Sequence, residues 1–169
     1  RLGGEAFYDY FDAFGLTAGT GIDLPGESAS IYHTYDDITN SIISLSSSSF
    51  GQTFKITAIQ MLTAVCAVVN GGNLVTPHVV KQVVDSDGSV VSAVEPEIRR
   101  QVISQETSQT MCEIMESVVA DEDGSGRSAY IAGYHLGGKT GTAEKTDKRV
   151  EPGEMEEHVL SFVGVAPMD

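Results

Sequence analysis

The segment Lys139-Thr140-Gly141-Thr142 holds the residue types in this sequence that are best suited to acyl-transfer chemistry. A lysine on a strand beside a cleft presents a compact positive charge to a substrate carboxylate, and the two threonines add hydroxyl donors to the same anion. The glycine removes a side chain, so a substrate backbone could lie along the strand edge. A backbone N–H at such an edge could also stabilise an oxyanion.

The tripeptide Lys-Thr-Gly is a weak signal by itself, because so short a motif recurs by chance. The alternative interpretation is that Gly137, Gly138 and Gly141 mark a bulge or tight sheet packing, and that Lys139 is simply exposed to solvent. The surrounding sequence therefore has to decide which interpretation applies.

Two strands are expected to carry the motif. Residues 134–142 have the character of a glycine-containing strand, and residues 158–166 that of an apolar one. The charged residues 146–157 predict an exposed loop between them, and a loop of this length suggests an antiparallel pair. The acidic residues of that loop are interpreted as a solvated surface: Glu151, Glu154, Glu156 and Glu157.

Three helices and a hairpin are expected to support the strand pair. Apolar residues at three- and four-residue steps predict helices over 2–15, 55–70 and 105–120. The second of these is apolar nearly all round, which favours burial in a core. The Val-rich residues 74–94, interrupted by an Asp-Gly turn signal, predict a β-hairpin.

The remaining segments are predicted to be irregular, which gives an α+β fold class overall. Residues 17–27 are rich in turn formers, and residues 121–127 are interpreted as a flexible polar link that leads into a short helix near Ser128. Residues 28–49 carry six serines in their second half and are interpreted as a polar surface loop. The alternative for that segment is a loop that lines a polar cleft.

Composition argues against several classes of function. Lys+Arg number 10 and Asp+Glu number 24, giving a formal net charge of −14, which disfavours nucleic acid and anionic membranes as partners. The four histidines form no HExxH motif and no zinc spacing, so no metal and no cofactor are expected. Cys66 and Cys112 are interpreted as two buried thiols, and a disulfide between them is left open.

Several stretches together resemble a known family. GGKTGTAEK at 137–145, followed by HVLSFVGVAP at 158–167, resembles the third conserved motif and the next strand of the penicillin-binding protein transpeptidase domain. The likeness is strongest to class B enzymes, the division and sporulation-type D,D-transpeptidases. Earlier stretches agree in order: RLGGEAFYDYFDAFGL at 1–16, TGIDLPGE at 20–27, SFGQTFKITAIQM at 49–61 and NGGNLVTPHVVKQV at 70–83. Two departures are Thr53, where the family often has Gly, and Ala58, where it often has Pro.

The resemblance implies a role for each residue of the motif. Lys139 would steady the electrostatics of the serine pair and of the terminal carboxylate, which Thr140 and Thr142 would bind through their hydroxyls. The Thr142 N–H would complete the oxyanion hole, and Gly141 would leave space for the substrate. No cofactor is implied.

The implied reaction is peptidoglycan cross-linking. A serine would attack the D-Ala-D-Ala bond of a stem peptide, release D-Ala and pass the acyl group to a neighbouring amine, and β-lactams would acylate the same serine. The catalytic face would lie outside the bacterial cytoplasmic membrane, anchored by an N-terminal helix absent from this sequence.

Two of the three motifs of that family are missing. No lysine has a serine three residues before it, so S-x-x-K is absent, and no asparagine has a serine two residues before it, so S-x-N is absent. Residues 1–169 are therefore expected to be the C-terminal portion of a transpeptidase domain, without the nucleophile and without the last strand and helix. We expect this portion to be inactive alone, and to self-associate through surface that other segments would cover.

Three alternatives stay open for the function. A serine β-lactamase or D,D-carboxypeptidase relative shares the same motif logic. A non-catalytic penicillin-sensor module on this fold would bind without acylation. The chain could also be a stable structural subdomain with no activity of its own.

Overall fold

A computed structural model describes residues 2–144 and 157–168 and has a mixed α and β architecture, as predicted. The helices of this described part are α1 (Gly4–Ala13), α2 (Tyr35–Asn40), α3 (Ile42–Ser49), α4 (Ala58–Val69) and α5 (Gln105–Ala120). Its strands are β1 (Asn73–Val75), β2 (Gln82–Val84), β3 (Val90–Ala93), β4 (Ile98–Gln101), β5 (Gly137–Glu144) and β6 (His158–Val165). None of the helices in these ranges combines the length and the apolarity that a bilayer crossing demands.

The predicted strand pair near the end of the chain is confirmed. β5 and β6 are antiparallel and stay in register from Gly137 opposite Val165 to Glu144 opposite His158. The first strand begins at Gly137 rather than at residue 134. The predicted loop, apart from its last residue Glu157, lies outside the described residues, as do Glu151, Glu154 and Glu156.

Helix α5 packs against β5, and glycines permit the close approach. The helix coincides with the predicted one, and the Ser104 side chain caps it by accepting a hydrogen bond from the Thr107 N–H at 3.1 Å. A Cβ atom added to Gly137 would lie 3.1 Å from the backbone carbon of Met115 in α5. A Cβ atom on Gly138 would lie 2.4 Å from the Phe162 ring across the pair. Gly137 therefore allows the helix to approach the sheet, and Gly138 makes room for the Phe162 ring.

Helix α4 contradicts the expectation of all-round burial. Its buried positions are small or polar, whereas Met61 and Leu62 remain 41% and 50% exposed. The helix contacts β1 and α5 along one side, where Leu74 and Val119 are fully buried. Met61 and Leu62 therefore point away from the described part of the core.

The interpretation of two buried thiols is wrong, because neither cysteine is fully buried. Cys66 on α4 is exposed, and Cys112 on α5 is half-buried with its thiol 3.9 Å from the Val69 carbonyl oxygen. Both are free cysteines. Cys66 lies on the exposed face of α4, so the apolar residues around it in the sequence did not predict its exposure to solvent.

The predicted Val-rich hairpin is confirmed as β2 paired with β3. Of the valines that precede it, Val75 lies in a separate strand, β1, and Pro77 lies between β1 and β2. Strand β4, which pairs with β1, was not predicted because its sequence IRRQ is short and charged. Arg100 of β4 donates from Nε to the Ala13 carbonyl oxygen at 2.8 Å, which neutralises the C-terminal end of α1.

The serine-rich segment forms helices α2 and α3, so its interpretation as a loop is wrong. Thr34 and Asp37 form a reciprocal capping box at the start of α2, and Ser41 caps α3 by accepting from the Ser44 N–H at 3.2 Å. Within α3, the hydroxyls of Ser47 and Ser49 donate to carbonyl groups three residues earlier. Such back-bonding lets serines occupy a helix that their propensity disfavours.

Residues 17–27 form the predicted loop, and hydrogen bonds to two carboxylates stabilise it. Glu27 accepts hydrogen bonds from the Thr20 N–H at 2.7 Å, from the Thr20 hydroxyl at 2.8 Å and from the Gly21 N–H at 3.3 Å. Asp23 accepts from the N–H groups of Val79 and Val80, both at 2.9 Å. The loop is thereby fastened to the segment that enters the hairpin.

Replacing Glu27 by Gln is expected to lower the free energy of unfolding by about 1–2 kcal/mol, because the charge-assisted hydrogen bonds are lost. The backbone and hydroxyl donors of Thr20 hold the pKa of the Glu27 carboxyl below its ordinary value. The carboxylate therefore stabilises the fold at neutral pH, and that contribution is lost as the pH falls below about 4.

Thermal unfolding of the wild type and of Glu27→Gln between pH 7 and pH 3 tests this expectation. The stability difference should shrink as the pH falls. Glu122→Gln, an exposed glutamate in the turn after α5, is the matched control and should behave as wild type. A difference between wild type and Glu27→Gln that stays constant with pH would contradict the assigned hydrogen bonds.

Candidate active site

The residues Lys139 to Thr142 lie on β5, one edge of which pairs with β6. The carbonyl oxygen of Thr140 accepts from Lys139 Nζ at 2.7 Å, and that of Thr142 accepts from Gln52 Nε2 at 3.3 Å. Both carbonyls therefore bond to groups outside β6.

These two carbonyl bonds place the Thr142 N–H on the edge of β5 that β6 leaves free. In an antiparallel pair, the N–H and C=O of one residue point to the same side. The Thr142 N–H therefore shares the free edge with its carbonyl, and the Lys139 ammonium also reaches this edge. Lys139 and Thr142 are exposed, and Thr140 and Gly141 are half-buried. A positive charge and a backbone donor thus lie together at an accessible strand edge.

A further hydroxyl joins this group from the turn after α5. Thr140 Oγ1 lies 3.3 Å from Ser125 Oγ. The segment interpreted as a flexible link is a defined turn, in which the Gly124 N–H donates to Asp121 and the Gly126 N–H to Val118, at 3.0 and 2.9 Å. The short helix expected near Ser128 follows as one 3-10 turn. Sequence patterns gave no signal for Ser125, because its position depends on how α5 ends.

Gly141 has a packing role that is independent of any substrate. A Cβ atom at this position would lie 2.5 Å from the hydroxyl oxygen of Ser161, which is its direct partner on β6. The Ser161 side chain therefore packs directly over Gly141. Substitution of Gly141 would force that side chain to move even in the unliganded protein.

The loop between α3 and α4 faces the second half of β5 across a cleft of about 780 Å³. Phe50 at the cleft is 70% exposed, and Lys55 and Glu144 add one charge of each sign to an otherwise mainly apolar lining. Lys55 is fixed by a pair of backbone hydrogen bonds with Ile31, at 2.7 and 2.8 Å. Gln52 borders the cleft and bridges to Thr142 across 90 residues of sequence, a contact that local pattern could not predict.

Residues 2–144 and 157–168 contain no group of three or more His, Cys, Asp or Glu side chains placed to hold an ion. The ion pair between His135 and Glu116, with 2.7 Å between Nδ1 and Oε1, lies outside the Lys139–Thr142 segment.

Comparison with known proteins places the whole chain in one family. The family model described as penicillin binding protein transpeptidase domain matches residues 1–169. Stage V sporulation protein D of Bacillus subtilis (strain 168) is 41% identical over 172 residues, and the probable peptidoglycan D,D-transpeptidase FtsI of Caulobacter vibrioides is 33% identical over 171. Each match covers 100% of this chain but only 25% and 27% of the relative. The chain thus spans about a quarter of the length of the curated relatives it matches.

Solved structures show the same relationship. Penicillin binding protein 3 from Mycobacterium tuberculosis, complexed with aztreonam, aligns with a TM-score of 0.79 and 30% identity, covering 97% of this chain and 37% of that one. Penicillin-binding protein 2B from Streptococcus pneumoniae aligns with a TM-score of 0.78, covers 98% of this chain and 27% of that one, and at 24% identity supports the fold alone. The chain belongs to the penicillin-binding protein transpeptidase domain family.

Proposed function

We propose that this chain supplies one wall of the active site of a serine peptidoglycan D,D-transpeptidase. The observation that carries the proposal is the free edge of β5, where the Thr142 N–H and the Lys139 ammonium lie together. The names of the relatives support it, since one is a probable peptidoglycan D,D-transpeptidase. Structures of a similar protein are complexed with aztreonam and with ampicillin.

The residues of the free edge have distinct tasks in the proposed reaction. The Lys139 charge attracts the C-terminal carboxylate of the donor peptide, and the hydroxyls of Thr140 and Thr142 donate to it. The Thr142 N–H stabilises the oxyanion that forms when a serine attacks the D-Ala-D-Ala carbonyl. Gly141 keeps the edge clear, so that the donor backbone lies along β5 as an added strand.

The nucleophile of the proposed reaction lies outside these 169 residues, because the sequence contains neither S-x-x-K nor S-x-N. The serine hydroxyl proton passes to the lysine of that external motif and then to the leaving D-Ala amine, which leaves an acyl-enzyme for the acceptor amine. We propose that these residues are the C-terminal portion of such a domain, within a longer protein that is anchored in the membrane and acts on its outer face. The 169 residues alone have no transpeptidase activity.

The exposed apolar side chains of β6 are proposed to be covered by other parts of that longer protein. Leu160 is 76% exposed, and Val159 and Phe162 beside it are about half exposed. Uncovered, these side chains favour self-association of the isolated chain. Sizing chromatography should show a dimer or larger species at high concentration, and a monomer at every concentration would contradict this proposal.

The proposed reaction is tested on the full-length protein that contains these residues. Incubation with a stem peptide ending in D-Ala-D-Ala and an acceptor amine should release D-Ala and form a cross-linked product, and pretreatment with penicillin should abolish both. Rapid turnover of a β-lactam would favour a β-lactamase. D-Ala release without cross-linking would favour a carboxypeptidase, and penicillin binding without acylation would favour a sensor module.

A further inference from the structure

Thr53 has a backbone conformation that its side chain disfavours. Its φ of +67° lies in the left-handed region, and every other positive φ in residues 2–144 and 157–168 belongs to a glycine. A β-branched residue in that region is a genuine outlier, because Cβ crowds the backbone. Strained residues persist only where their surroundings over-determine them, and such residues cluster at functional sites.

One hydroxyl makes three polar contacts that hold Thr53 in this conformation. Its Oγ1 lies 2.9 Å from Ser47 Oγ on α3 and 3.1 Å from His33 Nε2 in the segment before α2. It also lies 2.6 Å from the carbonyl oxygen of Gln52. A glycine would adopt the same φ without strain but would lack all three contacts. Thr53 therefore adopts an unfavourable backbone conformation, and the contacts of its hydroxyl fix the loop.

The residue next to Thr53 contacts the candidate active site. Gln52 Nε2 donates to the Thr142 carbonyl oxygen on the free edge of β5 at 3.3 Å. That edge has no partner strand in the described chain, so the Gln52 amide takes the place that an N–H of a neighbouring strand would have. The bond restrains the Thr142 carbonyl, and the Thr142 N–H, which belongs to the preceding peptide group, lies on the same edge.

We propose that Thr53 and Gln52 are positioning residues for the Thr142 N–H. The Thr53 hydroxyl, held by Ser47 and His33, sets the loop so that the Gln52 amide reaches β5, restrains the Thr142 carbonyl and so keeps the Thr142 backbone, with its N–H, aligned for the oxyanion. This inference rests on the proposed transpeptidase function. Its physical basis is that an oxyanion donor helps the reaction most when it is preorganised.

The test compares four variants of the full-length protein: Thr53→Gly, Thr53→Ser, Ser47→Ala and Ser49→Ala. Acylation by a fluorescent penicillin is resolved into the dissociation constant and the acylation rate constant, and thermal stability is measured alongside. Ser49 is the matched control for Ser47, because both lie on α3 and, among the described residues, the Ser49 hydroxyl bonds to the Ser46 carbonyl at 2.7 Å and not to Thr53. Thr53→Ser keeps the hydroxyl on the same backbone.

Thr53→Gly should lower the acylation rate constant about tenfold, the change expected for loss of one aligned hydrogen bond, without lowering thermal stability. Ser47→Ala should lower the rate constant in the same direction, while Thr53→Ser and Ser49→Ala should match the wild type. A purely structural role predicts instead that Thr53→Gly leaves acylation intact. That result, or an equal loss in Thr53→Ser and Thr53→Gly, would overturn the proposal.

A second measurement separates this inference from the proposed function. In NMR relaxation, the side-chain amide of Gln52 should have a high order parameter in the wild type and a lower one in Thr53→Gly. Equal values in the two proteins would overturn the positioning role. Absence of acylation in the wild type would contradict the transpeptidase function, and the order parameters would still decide whether Thr53 positions Gln52.

Discussion

Replacing Lys139 by Ala in the full-length protein is expected to slow acylation by a fluorescent penicillin by about 10²–10³-fold, as removal of one preorganised charged or donor group from an acyl-transfer site does. The Lys139 ammonium lies at the free edge of β5, where it bonds to the Thr140 carbonyl oxygen at 2.7 Å. Without it, the carboxylate of the penicillin meets no positive charge from β5. The loss should appear in the second-order rate constant of acylation.

Lys81→Ala is the matched control for this effect. Lys81 is an exposed lysine before the β2–β3 hairpin, and its removal changes the net charge by the same single unit. It should leave acylation unchanged, because any long-range effect of net charge is screened at physiological ionic strength. Equal slowing in both variants would show that overall charge, and not the position of Lys139, governs acylation.

Replacing Gly72 by Ala is expected to cost at least about 3 kcal/mol in the free energy of unfolding, adding left-handed strain to a backbone clash. Gly72 has a φ of +92°, and a Cβ atom there would lie 1.9 Å from the Ile103 carbonyl oxygen. The Gly72 carbonyl also accepts from the Val102 N–H at 2.7 Å, so the turn before β1 cannot move away without breaking that bond. Denaturant unfolding of the chain measures the loss.

The variant Gly88→Ala separates the cost of the left-handed backbone from the cost of the clash with Ile103. Gly88 in the β2–β3 turn has a φ of +88°, and a Cβ atom there would meet nothing within 4 Å. Its replacement should therefore cost only the conformational strain, about 1–2 kcal/mol. The two variants share the strain, so the difference between them measures the clash with Ile103. Equal losses in both would contradict the close packing of the turn against residues 102–103.

Elements with strong local signals were predicted from the sequence. Helix α5 coincides with its apolar periodicity and its Ser104 cap, and the β2–β3 hairpin follows from its valines and its Asp-Gly turn. The β5–β6 pair was predicted to be antiparallel, because two extended runs flank one connecting segment. In these cases the local chain contains both the hydrophobic pattern and the signal that ends it.

Features that depend on distant residues were not predicted. The serines of α3 suggested a loop, yet capping and back-bonding satisfy their hydroxyls within a helix. Strand β4 was not predicted because its sequence is charged. Its Arg100 caps the C-terminal end of α1, which lies 87 residues earlier in the sequence. For the candidate site, the residue types of the Lys139–Thr142 segment indicated the chemistry, but the approach of Gln52 and Ser125 depends on tertiary packing.

In the proposed function, these residues form the wall of an acyl-transfer site whose nucleophile lies elsewhere in a longer protein. The direct test is to label the full-length protein with penicillin, digest it, and map the acylated residue by mass spectrometry, with the 169-residue chain treated in parallel. We expect the label on one serine of an S-x-x-K motif outside this sequence, and no label on the isolated chain. A penicilloyl group on any serine within these 169 residues, or an unlabelled full-length protein, would contradict the claim.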